Sequence, residues 1–439
     1  MHLLIYANLD DTITIHFHDP LWVKNSTAMY HAPMTKQENN TGPSLKFMLI
    51  ALAVISPFAF QVFLPSMPGL VDDFGASPAA VQLTASVYVG AFAFAQLGYG
   101  PLSDRFGRRR VILTGLAVYV TAPLICATAE SIEVLVAGRA LQAIGGCAGL
   151  MLARVIARDL YERNRAAGVI GFVTMVTALV GSATPILGGW VNVLIDWRAS
   201  FWITSALGLV VFVITLLWLP ETRPKGTADN VVATFRRGFQ LLRSPVFVGY
   251  AGHGACTLSA WYAMLTGLPF IMVDVLDQPT TAYGVYFPLL SLGYMVGNLV
   301  TSRVAQSWGA HCLIVVGVGL ALSACLAMVV WNLAATPVPL ALFLPLGLIA
   351  FGHGMSQPGA MSGAIGVVPA LIGSAAGFMG FGQWLIAGVT AQLVGMIQNG
   401  TIWPTMATVI GFTVLSWLSY LLAKWGEARK LDSGSHAGL

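Results

Sequence analysis

Long apolar runs with almost no charged side chain follow one another along most of the chain. A run of about 20 apolar residues is long enough for an α-helix to cross the hydrocarbon core of a bilayer. Predicted spans 1 to 6 are residues 47–69, 79–101, 111–129, 134–153, 166–191 and 199–219, and predicted spans 7 to 12 are residues 246–272, 283–302, 312–333, 338–358, 371–395 and 402–423. The pattern therefore predicts twelve membrane-spanning helices in two sets of six.

The same pattern excludes a membrane β-barrel. Barrel strands are about 10 residues long and alternate apolar with polar residues, whereas these runs are about twice that length without alternation. Composition agrees, because 56% of the residues are hydrophobic and only 9% are charged, against about 25% in soluble domains. The predicted fold class is an all-α polytopic membrane protein with two six-helix bundles.

The layout predicts five regions of the chain. They are a cytoplasmic N-terminal tail at residues 1–45, a first bundle at 46–220, a cytoplasmic linker at 221–245, a second bundle at 246–425 and a cytoplasmic tail at 426–439. The N-terminal region has no basic start followed by an apolar run, so it does not resemble a signal peptide. A disordered tail and an overextended start covering residues 1–33 both remain open.

Basic residues are concentrated in the loops on one side of the predicted membrane. Twenty of the 22 lie there: Lys24, Lys36, Lys46, Arg105, Arg108, Arg109, Arg110, Arg154, Arg158, Arg163, Arg165, Arg223, Lys225, Arg236, Arg237, Arg243, Arg303, Lys424, Arg429 and Lys430. Because Lys and Arg are retained on the cytoplasmic side, both termini are predicted to be cytoplasmic. The net charge of +4 is thus a topology signal, and we expect no nucleic-acid partner.

The connection between spans 2 and 3 has the sharpest local motif, GPLSDRFGRRR over residues 100–110. Its glycines permit a tight turn, and its carboxylate is suited to accept hydrogen bonds from an arginine or a helix N-terminus. A plain basic anchor would need only the arginines. The residues to which we assign a conformational role are Gly100, Asp104, Arg105, Gly107, Arg108 and Arg109.

This motif resembles the signature loop of the major facilitator superfamily, whose fold has two pseudo-symmetric six-helix halves. Further segments narrow the resemblance: LPSMP at 64–68, RALQAIGG at 139–146, RVIARDLY at 154–161 and GSATPILGGW at 181–190. Together they are similar to the bicyclomycin and chloramphenicol resistance branch of bacterial drug:proton antiporters. The resemblance implies a multi-pass inner-membrane exporter that works by alternating access, as a monomer, without a cofactor and with the proton gradient as its energy source.

Small residues in span 5 form the segment that resembles the antiporter motif of drug exporters. Gly181, Gly188 and Gly189 would let a neighbouring helix approach closely, and Pro185 removes a backbone donor and bends the helix. The resemblance implies that this helix keeps the interface between the halves tight against ion leak. Generic glycine-lined packing is the alternative, and Thr184 departs from the glycine usual before the proline.

Arg139 is the one charged residue well inside a predicted span, and about six residues separate it from Glu133. It therefore lies about 9 Å below the surface at ~1.5 Å per residue. A buried guanidinium costs at least ~2.5 kcal/mol, so we expect a cavity or a partner; snorkelling toward Glu130 or Glu133 is the alternative. Gln142 lies on the same helix face. The resemblance assigns this position to substrate binding or proton coupling.

Gln61 marks a departure from the resemblance, since relatives of this branch have an acidic residue three positions before the Leu-Pro pair. We expect Gln61 to lie at the depth of Arg139 and to hydrogen-bond with it across spans 1 and 4. Gln does not titrate near neutral pH, and no predicted span contains Asp or Glu. The usual antiporter carboxylate is therefore missing from the membrane interior.

If protons are coupled, another residue must titrate. His253, between two glycines in the middle of span 7, is the leading candidate because histidine titrates in the right range. His353 in span 10 has the same flanks, and Asp274 at the outer end of span 7 matches an acidic position in relatives. A packed, hydrogen-bonded histidine is the alternative for each.

Aromatic residues in spans 2, 7 and 11 supply a candidate pocket for flat, apolar compounds. They are Tyr88, Phe92, Trp261, Tyr262, Phe378, Phe381 and Trp384. Without a buried acid, neutral or anionic compounds fit better than cations, and Arg139 favours anions. The five cysteines lie in or at the ends of spans without paired spacing, which predicts neither disulfide nor metal site.

The sequence therefore predicts a secondary active exporter of small amphipathic compounds that resides in the lipid bilayer. A carrier of one metabolite or anionic solute is the alternative within transport. A membrane-embedded enzyme would need convergent catalytic groups at one depth, and the spans offer only scattered ones. An enzyme and a receptor without transport activity are therefore remote alternatives.

Overall fold

The computed structural model of the chain describes residues 4–7, 13–16, 43–161, 163–222, 239–368 and 372–435. Most of the predicted N-terminal tail, residues 223–238 of the predicted linker and the last four residues lie outside this range. The chain divides into two units, residues 1–40 and residues 41–439. In the first unit, strand β1 (Leu4–Ala7) pairs antiparallel with strand β2 (Ile13–His16), with Leu4 opposite His16.

The second unit is helical. Its helices are α1 (Pro43–Phe63), α2 (Gly69–Phe74), α3 (Pro78–Phe106), α4 (Arg108–Ala127), α5 (Ile132–Leu160), α6 (Arg163–Leu194), α7 (Trp197–Trp218), α8 (Pro245–Phe270), α9 (Thr280–Ala334), α10 (Pro339–Gly366), α11 (Ile372–Ile397) and α12 (Trp403–Ser435). Short polar side chains explain several helix starts: the side chains of Ser77, Ser131, Asp196 and Ser244 each accept a hydrogen bond from a backbone N–H of the first turn.

Eleven of the helices in the described residues are long and apolar enough to cross a membrane. The prediction of an all-α polytopic fold is confirmed for this unit. One of the eleven, α9, has 55 residues and would measure about 80 Å at ~1.5 Å per residue, far more than the ~30 Å bilayer core. It breaks at Gly309, whose φ is 74° and ψ 157°, and predicted spans 8 and 9 lie on either side of this residue. The count of twelve spans and the cytoplasmic termini stay predictions.

Close backbone contact holds the first six-helix half together. Helix α5 packs against α1, α3 and α4, and α1 packs against α6 and α7. At Gly145 of α5 a Cβ atom would lie 2.7 Å from the carbonyl oxygen of Gly115 in α4. Such approach matters in a membrane, because lipid tails are as apolar as the side chains and helices associate through tight packing.

The second half is built around α8, which packs against α10, α11 and α12, while α9 packs against α10. The two halves meet along α3 and α11 and where α6 contacts the start of α9. Ser86 of α3 donates a hydrogen bond to Gln392 Oε1 of α11 at 2.6 Å. The α6–α9 contact lies at the end of the bundles remote from the 100–110 motif.

The span 5 segment, residues 181–190, packs within the first half and also against the second half. At Gly188 a Cβ would collide with the carbonyl oxygen of Val62 in α1, and at Gly189 it would lie 3.0 Å from Cα of Thr281 in α9. At Gly284 of α9 it would lie 2.7 Å from the carbonyl oxygen of Pro185. The predicted close approach is thus confirmed, and the segment lies at the interface between the halves.

We expect Gly188→Ala to destabilise the protein, because overpacking a tight contact costs about 1–3 kcal/mol. The matched control is Gly171→Ala in the same helix, where a Cβ would meet nothing within 4 Å. The measurement is the thermal unfolding midpoint of purified protein in detergent. Gly188→Ala should lower it by several degrees and Gly171→Ala should not; equal midpoints for the two variants would contradict the packing role.

Candidate functional site

Arg139 is fully buried in the first half, with 0% of its surface exposed. Its guanidinium carbon lies 4.3 Å from the ring centroid of Tyr88 and 4.7 Å from that of Phe63, and the rings of Phe60 and Phe201 are within 5.9 Å. A cation over a desolvated aromatic face gains about 2 kcal/mol or more. These four rings, from α1, α3 and α7, form what we call the Arg139 cage.

Oxygen atoms complete the surroundings of the guanidinium. Arg139 Nη1 donates to Gln142 Oε1 at 2.7 Å and to the Ala59 carbonyl at 3.2 Å, and Nε donates to the Thr84 carbonyl at 3.4 Å. Nη2 has no hydrogen-bond partner among the described residues, and none of their carboxylates pairs with Arg139. The side chain therefore does not snorkel, and the predicted polar pair with Gln142 is confirmed.

The predicted hydrogen bond between Gln61 and Arg139 is wrong. Gln61 Oε1 has no hydrogen-bond partner in the described residues, and the amide packs instead against α6, where a Cβ at Gly181 would lie 2.7 Å from Gln61 Nε2. The Ala59 carbonyl and Gln142 take the place expected for Gln61. Depth along two helices is therefore a weaker guide than the direction in which each side chain leaves its helix.

A continuous line of aromatic rings joins the Arg139 cage to the second half. Phe60 lies 5.3 Å from Tyr88 and 5.4 Å from Tyr262, Tyr262 lies 5.6 Å from Trp384, and Trp384 lies 4.7 Å from Phe92, all between ring centroids. These five residues, which we call the interface cluster, come from α1, α3, α8 and α11. The cluster thus contacts both halves at the level of the buried cation.

Sequence reasoning found four members of the interface cluster and missed the residue that connects them, Phe60. Phe63 and Phe201 of the cage were missed as well. The signal available was helical spacing: Phe60 and Phe63 are three residues apart on one face of α1. Three other predicted residues lie elsewhere, because Trp261 packs on Tyr294 and Phe287, while Phe381 and Phe378 contact Phe94 and Phe239.

The two candidate histidines share one buried polar network in the second half. His253 Nδ1 lies 3.0 Å from the Ser416 carbonyl and its Nε2 lies 3.0 Å from Ser356 Oγ. His353 Nε2 lies 3.4 Å from Thr413 Oγ1. Asp274 is not part of this network; it is exposed, within a π-helical turn after α8.

The 100–110 motif forms a polar cluster at one end of the first half. Arg108 is its centre: Nη1 lies 2.5 Å from Asp104 Oδ1 and contacts the Ser103 hydroxyl, and Nε donates to Asp159 Oδ2 of α5 at 3.1 Å. Arg109 Nη2 donates to the Leu216 carbonyl at the end of α7. The predicted pairing of the Asp104 carboxylate with an arginine is confirmed, and the loop connects α3, α4, α5 and α7.

Glu221 completes this cluster and was missed by the sequence analysis. Its carboxylate accepts hydrogen bonds from the backbone N–H groups of Arg108 at 2.7 Å and Arg109 at 3.3 Å. An anion at the first turn of α4 is favoured by the helix dipole. No local signal identifies Glu221, because it lies more than a hundred residues along the chain.

Of the two glycines of the motif, one forms the predicted turn and the other does not. Gly107 forms the turn, with φ of 97° and ψ of 144°, whereas Gly100 lies within helix α3, so its assignment to the turn is wrong. Gly309 in the second half has nearly the same backbone conformation as Gly107. Arg105 lies over the Phe106 ring at 5.2 Å. The turn between α3 and α4 and the break within α9 therefore share a backbone conformation.

We expect Gly107→Ala to destabilise the protein more than Gly309→Ala. Both substitutions put a Cβ into a backbone region that costs about 1–3 kcal/mol for residues other than glycine. Only at Gly107 would the Cβ also collide with the Glu221 carboxylate, since nothing lies within 4 Å at Gly309. The measurement is the thermal unfolding midpoint of each variant. An equal decrease in the two midpoints would show that the collision with Glu221 has no effect on stability.

Comparison with known proteins places this geometry in a family. The Major Facilitator Superfamily profile matches residues 49–392. Multidrug resistance protein D of Escherichia coli is 28% identical over 399 residues, covering 87% of this chain and 96% of that protein. The bicyclomycin resistance protein homolog of Haemophilus influenzae is 26% identical over 382 residues, covering 84% and 93%.

Solved structures agree at the level of the fold. An inward-facing, unoccupied bacterial homologue of the human lysosomal transporter Spinster superposes with a TM-score of 0.69 at 16% identity, covering 89% of this chain and 98% of that one. The nucleoside transporter NupG gives a TM-score of 0.65 at 16% identity, covering 88% and 98%. With its helical bundles, its signature loop and a matching profile over most of its length, the chain belongs to the Major Facilitator Superfamily.

Proposed function

We propose that the protein is a secondary active exporter of small amphipathic compounds, residing in a bacterial inner membrane. The observation that carries the proposal is the interface cluster, which joins a buried cation in the first half to aromatic rings of the second. The named functions of its relatives in multidrug and bicyclomycin resistance support the same conclusion. Twelve spans, cytoplasmic termini and action as a monomer belong to this proposal.

The interface cluster is suited to alternating access. In this fold two halves rock around a site near the midplane, and a ligand shifts such an equilibrium only if it interacts differently with the two states. A compound stacked between Phe60 and Trp384 would contact both halves at once. Its binding energy would therefore depend on their relative orientation, as transport requires.

Charge around the site defines the class of compound. Arg139 has no paired carboxylate in the described residues, so a cationic compound would add a second positive charge without compensation. Arg139 Nη2 has no hydrogen-bond partner in the described residues, and a carbonyl, phenolate or carboxylate oxygen would accept from it. We therefore propose neutral and anionic aromatic compounds as substrates.

The same unpartnered donor favours a second candidate function, a carrier of one anionic solute. If Arg139 bound one oxyanion tightly, that contact would provide most of the binding energy, and the aromatic rings would only line the site. Breadth of selectivity distinguishes the two functions, since stacking tolerates many ring systems and an oxyanion site does not.

Proteoliposomes with an imposed pH gradient test the function directly. The panel consists of neutral chloramphenicol, an anionic fluorescein derivative and cationic ethidium. We expect transport of the neutral and anionic compounds with mutual, weak competition, and little transport of ethidium. Preference for ethidium would contradict the charge assignment, one tightly bound anion would favour the solute carrier, and no transport of any compound under any gradient would overturn the proposal.

We expect Arg139→Lys to reduce transport at least tenfold at equal membrane levels. Lysine has no planar fork, so it cannot donate from one nitrogen to Gln142 and the Ala59 carbonyl and from another to the Thr84 carbonyl. The matched control is Arg198→Lys, which also removes a guanidinium stacked on a ring, that of Trp197 at 4.2 Å, but outside the cage. An Arg139→Lys variant as active as Arg198→Lys would contradict the geometric role.

The coupling ion belongs to the proposal as well. No predicted span contains Asp or Glu, and histidine is the side chain that titrates near neutral pH. We propose the proton gradient as the energy source and His253 as the residue that carries the proton. His253 is buried on α8 where this helix packs against α10 and α12, and this position supports the assignment.

A further inference from the structure

The hydrogen bonds of His253 determine where its protons lie. Its Nδ1 faces the Ser416 carbonyl at 3.0 Å. A carbonyl oxygen only accepts hydrogen bonds, so Nδ1 carries a hydrogen in both the neutral and the charged ring. The atom that gains or loses a proton is therefore Nε2, which faces Ser356 Oγ at 3.0 Å.

The Ser356 hydroxyl has a second neighbour, which allows it either to donate a hydrogen bond to His253 Nε2 or to accept one from it. Its Oγ also lies 3.3 Å from the carbonyl oxygen of His353, one turn earlier on α10. When His253 is neutral, the hydroxyl hydrogen donates to Nε2. When Nε2 is protonated, it donates to Ser356 Oγ, and the hydroxyl hydrogen turns to the His353 carbonyl. In both protonation states of His253 every ring N–H and the Ser356 O–H has an acceptor. Apart from the proton itself, the two states differ only by a rotation of the Ser356 O–H bond.

The corresponding arrangement at His353 is less balanced. Its Nε2 faces Thr413 Oγ1 at 3.4 Å, but the hydroxyl hydrogen of Thr413 donates to the Val409 carbonyl at 2.8 Å. Because the Val409 carbonyl is the nearer partner, the Thr413 hydroxyl favours donating to it and accepting from His353 Nε2. Of these two histidines, His253 is the one whose facing hydroxyl lies nearer to the ring nitrogen, at 3.0 Å, than to its carbonyl partner, at 3.3 Å.

The groups around His253 leave its charge without an acidic partner. The titratable residues of α8 and of the helices around it are Tyr250, Cys256 and Tyr262 on α8, Tyr283, Tyr286, Tyr294, Arg303, His311, Cys312 and Cys325 on α9, His353 on α10, and Tyr420, Lys424, Glu427, Arg429, Lys430 and Asp432 on α12; α11 contains none. Glu427 is bound to Lys424 and Tyr250, each at 2.7 Å. The Tyr420 ring lies 6.4 Å from that of His253, and its hydroxyl contacts the exposed His311.

We propose that His253 Nε2 is the proton-binding site of the second half and that Ser356 is its positioning residue, the hydroxyl that donates to the neutral ring and accepts from the charged one. The inference rests on the proposed proton-coupled function and specifies its atoms. A bound proton adds one positive charge to the second half. Release of the proton leaves a neutral His253 whose Nδ1 still donates to the Ser416 carbonyl and whose Nε2 accepts from the Ser356 hydroxyl.

Proton binding is measured without any transported compound, by ¹⁵N NMR of histidine rings in the full chain in lipid nanodiscs. The titration runs from about pH 4 to about pH 9, which brackets the range of histidine. We expect one buried histidine that has its hydrogen on Nδ1 when neutral and gains a second on Nε2 as pH falls. Its signal should disappear in His253→Gln and persist in His353→Gln.

Ser356→Ala should lower the proton affinity of His253 about tenfold. It removes a partner from both states, but hydrogen bonds to a charged group are about twice as strong as neutral ones, so the charged ring loses more. The matched control is Ser362→Ala on the same helix, whose hydroxyl bonds only to the Gly359 carbonyl. Ser356→Cys, which keeps a weak donor and acceptor, should lie between wild type and Ser356→Ala.

Two results would overturn the proposal: a His253 ring that does not titrate in the folded protein, or equal midpoints for Ser356→Ala and Ser362→Ala. Chloramphenicol transport then separates this inference from the proposed function. His253→Gln should abolish the response to a pH gradient and preserve exchange without one, and an unchanged response would remove His253 from coupling. Normal titration without transport of any compound would count against the exporter and leave the proton site standing.

Discussion

Placing a guanidinium in hydrocarbon costs at least ~2.5 kcal/mol, and the first half of this protein is arranged around one. Helix α5 supplies Arg139, α1 and α3 supply carbonyl oxygens, and α1, α3 and α7 supply the four rings of the cage. No carboxylate in the described residues neutralises the charge. The helices that must meet to satisfy this one group are therefore the helices that form the core of the half and one wall of the interface cluster.

The second half stabilises its buried polar side chains in a different way. Its histidines are held by hydroxyl and carbonyl groups of α10 and α12, so the network needs no permanent charge. A fixed cation in one half and a neutral, protonatable ring in the other give the protein an electrostatic asymmetry that its backbone lacks. Because the interface cluster lies against the cage of the fixed cation, the proposed function would make the charge of a bound compound and the charge of the second half act on the same equilibrium between conformations.

The polar motif at the end of the first half has a mechanical role that follows from its contacts. Arg108 connects Asp104 and Asp159, and Glu221 holds the first turn of α4. These bonds link four helices of one half and reach none of the described residues of the other. The cluster therefore holds these four helices of the first half together, while α3 with α11, α6 with α9 and Phe60 with Tyr262 make contacts between the halves.

The sequence by itself determined the class, the positions of most spans and the burial of Arg139, because all three depend on apolar run length and on the cost of charge in lipid. It also identified Gly188 and Gly189 as points of close approach, since a small residue in a span has few other uses. Only the tertiary structure decided which groups face each other. Gln61 turned to α6 and not to Arg139, Phe60 connected the aromatic residues, and Glu221 capped a helix formed a hundred residues earlier. Such pairings depend on the rotation of each helix about its own axis, which packing against neighbours sets and run length does not encode.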